Sequence, residues 1–206
     1  MIYQNKKIGI LGGSFDPIHN GHLAIAESAY RDFELDEVWL IPAGHSPNKD
    51  EAKMTSAQVR AEMVSLAIQD KPYFKLSLYE IEKECTSFTY LTLSDFKNKY
   101  PNTDFYFIMG ADSLDYFEKW RHPKIICENA IILVAVRDDI DLEDVQSKIM
   151  ALKSMFCAQI YPLSCPKIDI SSSDIRKALT TNTTLPDGLP TKVAEYILKN
   201  CLYQKK

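Results

Sequence analysis

No apolar run in this chain approaches the roughly 20 residues that a membrane-spanning helix needs, and the sequence predicts no membrane partner. Basic residues are not in excess either. Lys and Arg number 24 against 28 Asp and Glu, for a formal net charge of −4. A bulk nucleic-acid binder usually carries a basic footprint, so nucleic acid is excluded as a partner, while a locally basic nucleotide pocket is not. The five cysteines, Cys85, Cys127, Cys157, Cys165 and Cys201, contain no C-x-x-C pair. An odd, scattered set predicts buried thiols in a reducing cytoplasm rather than disulfides or a cysteine zinc site. Internal repeats, low-complexity tracts and flexible linkers are missing as well. The 206 residues predict a single domain, 1–206, with room for a sizeable core.

The first segment, MIYQNKKIGIL, places two lysines before a short apolar run. The run meets Gly12-Gly13-Ser14-Phe15-Asp16-Pro17-Ile18-His19, where an Asp and a His are out of place in a signal-peptide cleavage region. A strand over 7–11 is the better reading. Leu23, Ala26, Tyr30 and Phe33 recur at helical spacing, predicting an amphipathic helix over 22–33. Val38 to Ile41 reads as a second strand, followed by a loop over 42–49 rich in proline and glycine. Thr55 or Ser56 caps a helix to about Ile68, with Val59, Met63 and Leu66 on one face.

Tyr73 to Leu78 alternates like a strand, and a helix follows from about Thr89 to Lys99. Phe105 to Met109 and Ile131 to Val136 are further strands, the latter unbroken in its apolarity and so buried on both faces. An acidic stretch from Asp138 leads into a helix to about Phe156, then a short strand over 159–163. Ser171 with Asp174 reads as a capping box opening another helix. A last helix from about Pro190 to Asn200 places Val193, Tyr196, Ile197 and Cys201 on one face. Strands alternating with helices predict a Rossmann-like, doubly wound α/β fold: a mostly parallel sheet, helices on both faces, and a C-terminal helical segment. Ligands in such folds bind outside the carboxyl ends of the strands. The first turn, the 42–49 loop, Gly110-Ala111-Asp112 and the segment after Leu163 would all gather at that edge.

The first strand-to-helix turn has neither G-x-G-x-x-G nor G-K-[ST], so dehydrogenase-type and P-loop sites are disfavoured. It carries His19 and His22 instead, three residues apart at the start of a helix. Two imidazoles beside the positive end of a helix suit the phosphates of a nucleoside triphosphate. Taken by spacing alone, two other readings stay open: a zinc site with Asp16 as third ligand, and a cap with no function. The second motif, Ile170-Ser171-Ser172-Ser173-Asp174-Ile175-Arg176, offers hydroxyls, first-turn N–H groups and a forked cation. Alone it reads as an ordinary capping box; with the first motif it reads as a second phosphate clamp.

These two signatures, in this order and at this separation, resemble the H-x-G-H nucleotidyltransferase superfamily, and within it the bacterial nicotinate-nucleotide adenylyltransferases. Further matches extend over nearly the whole chain: Lys49, Arg60 with Met63, Ser87 to Tyr90, Gly110 to Ser113, Lys119-Trp120 and Arg137. The resemblance implies that the phosphate of nicotinate mononucleotide attacks the α-phosphate of ATP, giving deamido-NAD and pyrophosphate in NAD biosynthesis. Mg²⁺ would arrive with ATP, through few protein ligands. His19, His22 and Arg176 would be catalytic. Gly12, Gly13, Ser14, Phe15, Gly110, Asp112, Ile170, Ser171 and Ser172 would join them in holding ATP. Asp16, Lys49, Ser87, Thr89, Trp120 and Arg137 would serve the acceptor.

Trp120 could stack on a pyridine ring. The helix start at Ser87-Phe88-Thr89 could receive a carboxylate in preference to an amide, because N–H donors do not satisfy an amide NH₂. The 46–49 loop departs from the family's Pro-Pro-His-Lys, having Asn48 where the family has His. The stretch from Leu179 to Leu185 lacks a glycine often found after the second signature. His45 and His122 read as surface residues. The oligomeric state is left open, a homo-oligomer included.

Overall fold

The computed structural model describes residues 5–45, 54–83, 86–137, 142–166, 168–181 and 187–204. Among them, β1 (Lys6–Gly13), β2 (Glu37–Pro42), β3 (Phe74–Leu76), β4 (Thr103–Gly110), β5 (Ile131–Arg137) and β6 (Ile160–Cys165) form one sheet. The strand order is β3-β2-β1-β4-β5-β6. Every neighbouring pair is parallel. The helices are α1 (Asn20–Asp32), α2 (Ala57–Ile68), α3 (Tyr79–Glu82), α4 (Thr89–Lys99), α5 (Ala111–Leu114), α6 (Pro123–Asn129), α7 (Leu142–Phe156), α8 (Ser172–Thr181) and α9 (Thr191–Lys199).

The two-residue period of the strands sends alternate side chains to opposite faces. Leu11, Leu40, Ile108 and Leu133 face one core with Ala26 and Ala29 of α1, Met63 and Val64 of α2, Ile175 of α8 and Val193 and Ile197 of α9. Ile10, Phe107, Ile132 and Val134 face the other, with Leu93 and Phe96 of α4, Ile126 of α6 and Val145, Ile149 and Leu152 of α7. Each fully buried side chain of this kind contributes about 1.5–3 kcal/mol relative to exposure. β5 is buried on both sides from Ile132 to Val136, as its unbroken apolarity requires.

The strand order reverses between β1 and β4. α1 leaves β1 for the first face, whereas α6 and α4 cover the second. A crevice therefore opens between the ends of β1 and β4, at the topological switch point where α/β sheets bind ligands. Gly12 stands one residue before the end of β1 and Gly110 ends β4, and a Cβ built on either would meet nothing within 4 Å.

The helix starts follow their local chemistry. Ser56 caps α2, its Oγ accepting from the Val59 N–H at 3.4 Å. Ser171 Oγ accepts from the Asp174 N–H at 3.1 Å and donates to Asp174 Oδ2 at 2.6 Å, so the capping box forms. Short elements are where periodicity gave no signal: α3, α5 and α6 have four, four and seven residues, too few to establish a helical repeat. The strand expected over 73–78 is confined to Phe74–Leu76, because the chain turns into α3 at Tyr79.

The expectation of uniformly buried thiols is corrected. Cys165 is buried and Cys127 half-buried, but Cys157 and Cys201 are exposed, and none of these four is in a disulfide. Cys157 and Cys201 follow the ends of α7 and α9 with φ of 51°. That left-handed turn swings each off the apolar stripe of its helix, so Cys201 does not extend the buried face of α9. Cys85 lies outside the described residues. No helix among the described residues is long and apolar enough to cross a membrane.

Candidate active site

The turn after β1 is held from several directions. Phe15 adopts a left-handed φ of 50°, which costs a non-glycine residue on the order of 1 kcal/mol. Its ring is buried and lies edge-on to His22, with centroids 5.0 Å apart. His19 is the N-cap of α1, and the His19 and His22 rings lie 3.7 Å apart at 32°. The three-residue spacing at the helix start brings the two rings face to face. The His19 N–H donates to His22 Nδ1 at 3.3 Å. An accepting Nδ1 leaves the proton of neutral His22 on Nε2, which is thereby a donor. Gly21 is needed between them, because a Cβ there would come within 3.0 Å of the His19 ring.

The second signature docks on the first across more than 150 residues of sequence. Ser172 Oγ donates to the Pro17 carbonyl at 2.9 Å, and Arg176 Nη1 to the Asp16 carbonyl at 2.7 Å. Ile170 lies 3.6 Å from a Cβ placed on Gly21. The two motifs thus share one site, as expected. The Ser172 hydroxyl, however, is spent on holding the turn, and the Asp174 N–H on the capping box, which leaves the other α8 first-turn N–H groups and the rest of the Arg176 fork for an anion.

Asp16 differs most from the sequence reading. It is 3% exposed. Its Oδ1 accepts from Tyr203 OH at 2.6 Å and its Oδ2 from the Thr55 N–H at 3.3 Å. Both oxygens point into the protein, so Asp16 is not aimed at an acceptor, nor at a zinc ion beside the histidines. Among the described residues no group of three or more His, Cys, Asp or Glu is arranged to hold a metal.

Beside the turn lies a cavity of about 500 Å³, within the range of small-molecule sites. Its walls include Gly12, Gly13 and Ser14 from the end of β1, Ala43 after β2, and Ser87, Phe88 and Thr89 at the start of α4. Ile10, Ile41, Leu93, Phe107 and Ile126 form an apolar floor. Trp120 closes one side, its ring 5.4 Å from Phe117 and 6.1 Å from Phe107 by centroid. The Arg121 guanidinium sits 4.7 Å over the Phe88 ring at the rim.

Six expected residues line this cavity: Gly12, Gly13, Ser14, Ser87, Thr89 and Trp120. Phe15 is buried beneath the turn, and Asp112 is exposed in α5, away from the cavity walls. Arg137 ends β5, at the same sheet edge. Lys49 and Asn48 lie outside the described residues. His45 and His122 are exposed, in line with a surface reading.

Three groups had no role in the sequence reading, although Arg60 stood among its family matches. Glu80 lines the cavity and accepts from Thr92 Oγ1 at 2.7 Å. Burial pushes its carboxyl above the usual range, partly offset by the hydroxyls of Thr92 and Ser87. Ser87 also accepts from the Gly44 N–H at 3.1 Å. Gly44 is required there, since a Cβ would come within 2.1 Å of the Glu80 carbonyl oxygen.

Arg60 is the second. It is 2% exposed and donates to the carbonyls of Ser14 and Ala43 at 2.6 Å each and of Thr55 at 3.0 Å. An arginine among Ala61, Met63 and Val64 on the buried stripe of α2 was the available signal. Tyr203, the third, carried none.

The comparisons with known proteins agree with this geometry. The cytidylyltransferase-like family model matches residues 10–178. A protein of Lachnoclostridium phytofermentans named "Probable nicotinate-nucleotide adenylyltransferase" is 38% identical over 198 residues, covering 96% of this chain and 99% of its own. One of the same name from Bacillus cytotoxicus is 38% identical over 97% of this chain and 99% of its own. The solved structure of Plasmodium falciparum nicotinic acid mononucleotide adenylyltransferase complexed with NaAD superposes with a TM-score of 0.79 at 25% identity, over 96% of this chain and 97% of that one. The chain therefore belongs to the cytidylyltransferase-like family of nucleotidyltransferases and, within it, to the nicotinate-nucleotide adenylyltransferases.

Proposed function

We propose that this chain, working as one nucleotidyltransferase domain, transfers AMP from ATP to nicotinate mononucleotide. An oxygen of the acceptor 5′-phosphate bonds to the α-phosphorus of ATP, the bond from that phosphorus to the bridging oxygen breaks, and pyrophosphate leaves. The product is deamido-NAD. One observation carries the reading: a turn bearing paired histidines and a docked arginine adjoins an aromatic-walled cavity at the sheet's switch point.

The acceptor phosphate is already anionic near neutral pH, so the reaction needs alignment and charge stabilisation rather than a strong base. His22, donating from Nε2, and His19 offset charge developing at the α-phosphate and the leaving group. Arg176 and the α8 N-terminus hold the outer phosphates. Lys49 and Arg137 serve the acceptor phosphate. ATP would bring Mg²⁺ with it, held mainly by the phosphates, and the ion would offset their charge.

On the acceptor side, Trp120 and the apolar floor suit a flat pyridine ring. Phe88, the N-cap of α4, has no side-chain oxygen to cover the first-turn N–H groups. Those donors favour a carboxylate on the ring over an amide.

The test is pyrophosphate release with ATP, Mg²⁺ and each of three acceptors: nicotinate mononucleotide, nicotinamide mononucleotide and phosphopantetheine. Turnover fastest with the first is expected. Turnover with phosphopantetheine alone would overturn the pyridine assignment, and tight ATP binding without turnover on any acceptor would overturn the enzymatic one.

A further inference from the structure

Tyr203 stands just beyond α9 in a left-handed turn (φ 64°) and reaches back 187 residues to Asp16. Asp16 is a junction. Its two carboxylate oxygens take Tyr203 OH and the Thr55 N–H, and its main-chain carbonyl takes Arg176. The next residue, Pro17, takes Ser172. Three residues after Asp16 comes His19. The Tyr203 hydroxyl therefore bonds the residue that anchors Arg176 and neighbours the one that anchors Ser172, the two hydrogen bonds that fix the second signature on the first.

We propose that Tyr203 is a positioning residue for the phosphate side of the site, acting through Asp16 on Arg176 and the His19–His22 turn. A carboxylate buried to this degree needs partners on both oxygens. Without the hydroxyl, Oδ1 must find water or rotate, and the carbonyl that anchors Arg176 belongs to the same residue. Burial, and then the bond to Asp16, hold the Tyr203 phenol well above its ordinary range, so it remains a donor throughout the neutral region.

The competing explanation is that Tyr203 merely tethers α9. That helix already has anchors of its own: Val193 and Ile197 are fully buried, and Tyr196 OH donates to Glu62 at 2.7 Å. Nor does Tyr203 line the acceptor cavity. Losing its hydroxyl should therefore separate the two substrates.

Tyr203→Phe removes only the oxygen and keeps the ring beside Met63. Tyr196→Phe removes a hydroxyl from the same C-terminal region and serves as control. ATP binding is measured by calorimetry, the KM of each substrate by turnover, and Tm by scanning calorimetry. For Y203F, kcat/KM for ATP and ATP affinity should each fall about tenfold with the KM for nicotinate mononucleotide almost unmoved, while the stranded Asp16 oxygen lowers Tm by roughly 2–12 °C without unfolding the protein. Y196F should match wild type throughout. Y203F binding and using ATP as wild type does would overturn the proposal. So would equal losses for both substrates, or an unfolded Y203F, since either marks a structural role. The proposal rests on the adenylyltransferase reading. If wild type proves to use another acceptor, that reading falls alone, and the ATP-binding comparison still decides the role of Tyr203.

Discussion

Replacing Arg60 by methionine is expected to destabilise the fold by about 3 kcal/mol. Methionine keeps much of the stem volume and removes the guanidinium. Three carbonyls, at Ser14, Ala43 and Thr55, then lose donors at 2.6, 2.6 and 3.0 Å. A buried acceptor stranded in this way costs about 1–3 kcal/mol. Ser14 and Ala43 border the cavity, so water can serve them in part, and the low end of that range applies to each. The sum is about 3–5 kcal/mol, reduced by the desolvation that the arginine no longer suffers. Against a typical total of about 5–15 kcal/mol the loss is large.

For a chain of this size about 3 kcal/mol corresponds to a fall in Tm of roughly 6–12 °C. Urea titration and scanning calorimetry measure it directly. Turnover should fall by more than about tenfold in the surviving folded fraction, because two of the residues that lose their donor, Ser14 and Ala43, wall the cavity. Arg60→Lys should lie between, since one ammonium does not span diverging carbonyls as a planar fork does. A methionine variant within about 1 kcal/mol of wild type would refute the reasoning, showing that hydration replaces the arginine at little cost.

Two further perturbations test other parts of the site. His22→Ala should lower kcat on the order of 10²-fold, about 3 kcal/mol of transition-state stabilisation, with the Tm little changed; a variant within about fivefold of wild type would remove His22 from the chemistry. Glu80 has a folded-state pKa raised above its ordinary 4.5 by burial. Its contribution to stability is therefore fully present below that value and is lost as pH rises through the folded pKa. Glu80→Gln, which keeps an acceptor for Thr92 and does not ionise, should gain in Tm relative to wild type as pH is raised from about 4 to about 8; a difference that stays flat or reverses would show that the carboxyl is not disfavoured in its charged form.

Much of the fold was legible because its signals are local. Ile8 to Leu11 and Ile132 to Val136 are apolar runs of strand length, and a strand buried on both faces needs nothing more to be recognised. Ser56 and Ser171 mark helix starts by chemistry that operates within one turn. The paired histidines were legible for the same reason, since a three-residue spacing at a helix start fixes their mutual approach. The short helices α3, α5 and α6 were not, because a helix of one or two turns carries no measurable period.

The sequence by itself determined an alternating α/β chain, the strand ends where a ligand would bind, and the two signatures that name the family. It did so because periodicity, capping and motif spacing are properties of neighbouring residues. Only the tertiary structure decided what each polar side chain does there. It turned Asp16 inward to Tyr203, spent the Ser172 hydroxyl on Pro17, and buried Arg60 against the carbonyls of Ser14, Ala43 and Thr55. It also brought Glu80 to the cavity beside the first turn. Most of these outcomes join groups tens to nearly two hundred residues apart, and burial then removes water as an alternative partner. Which buried donor meets which acceptor is set by the packed fold, so no local pattern in the chain encodes it.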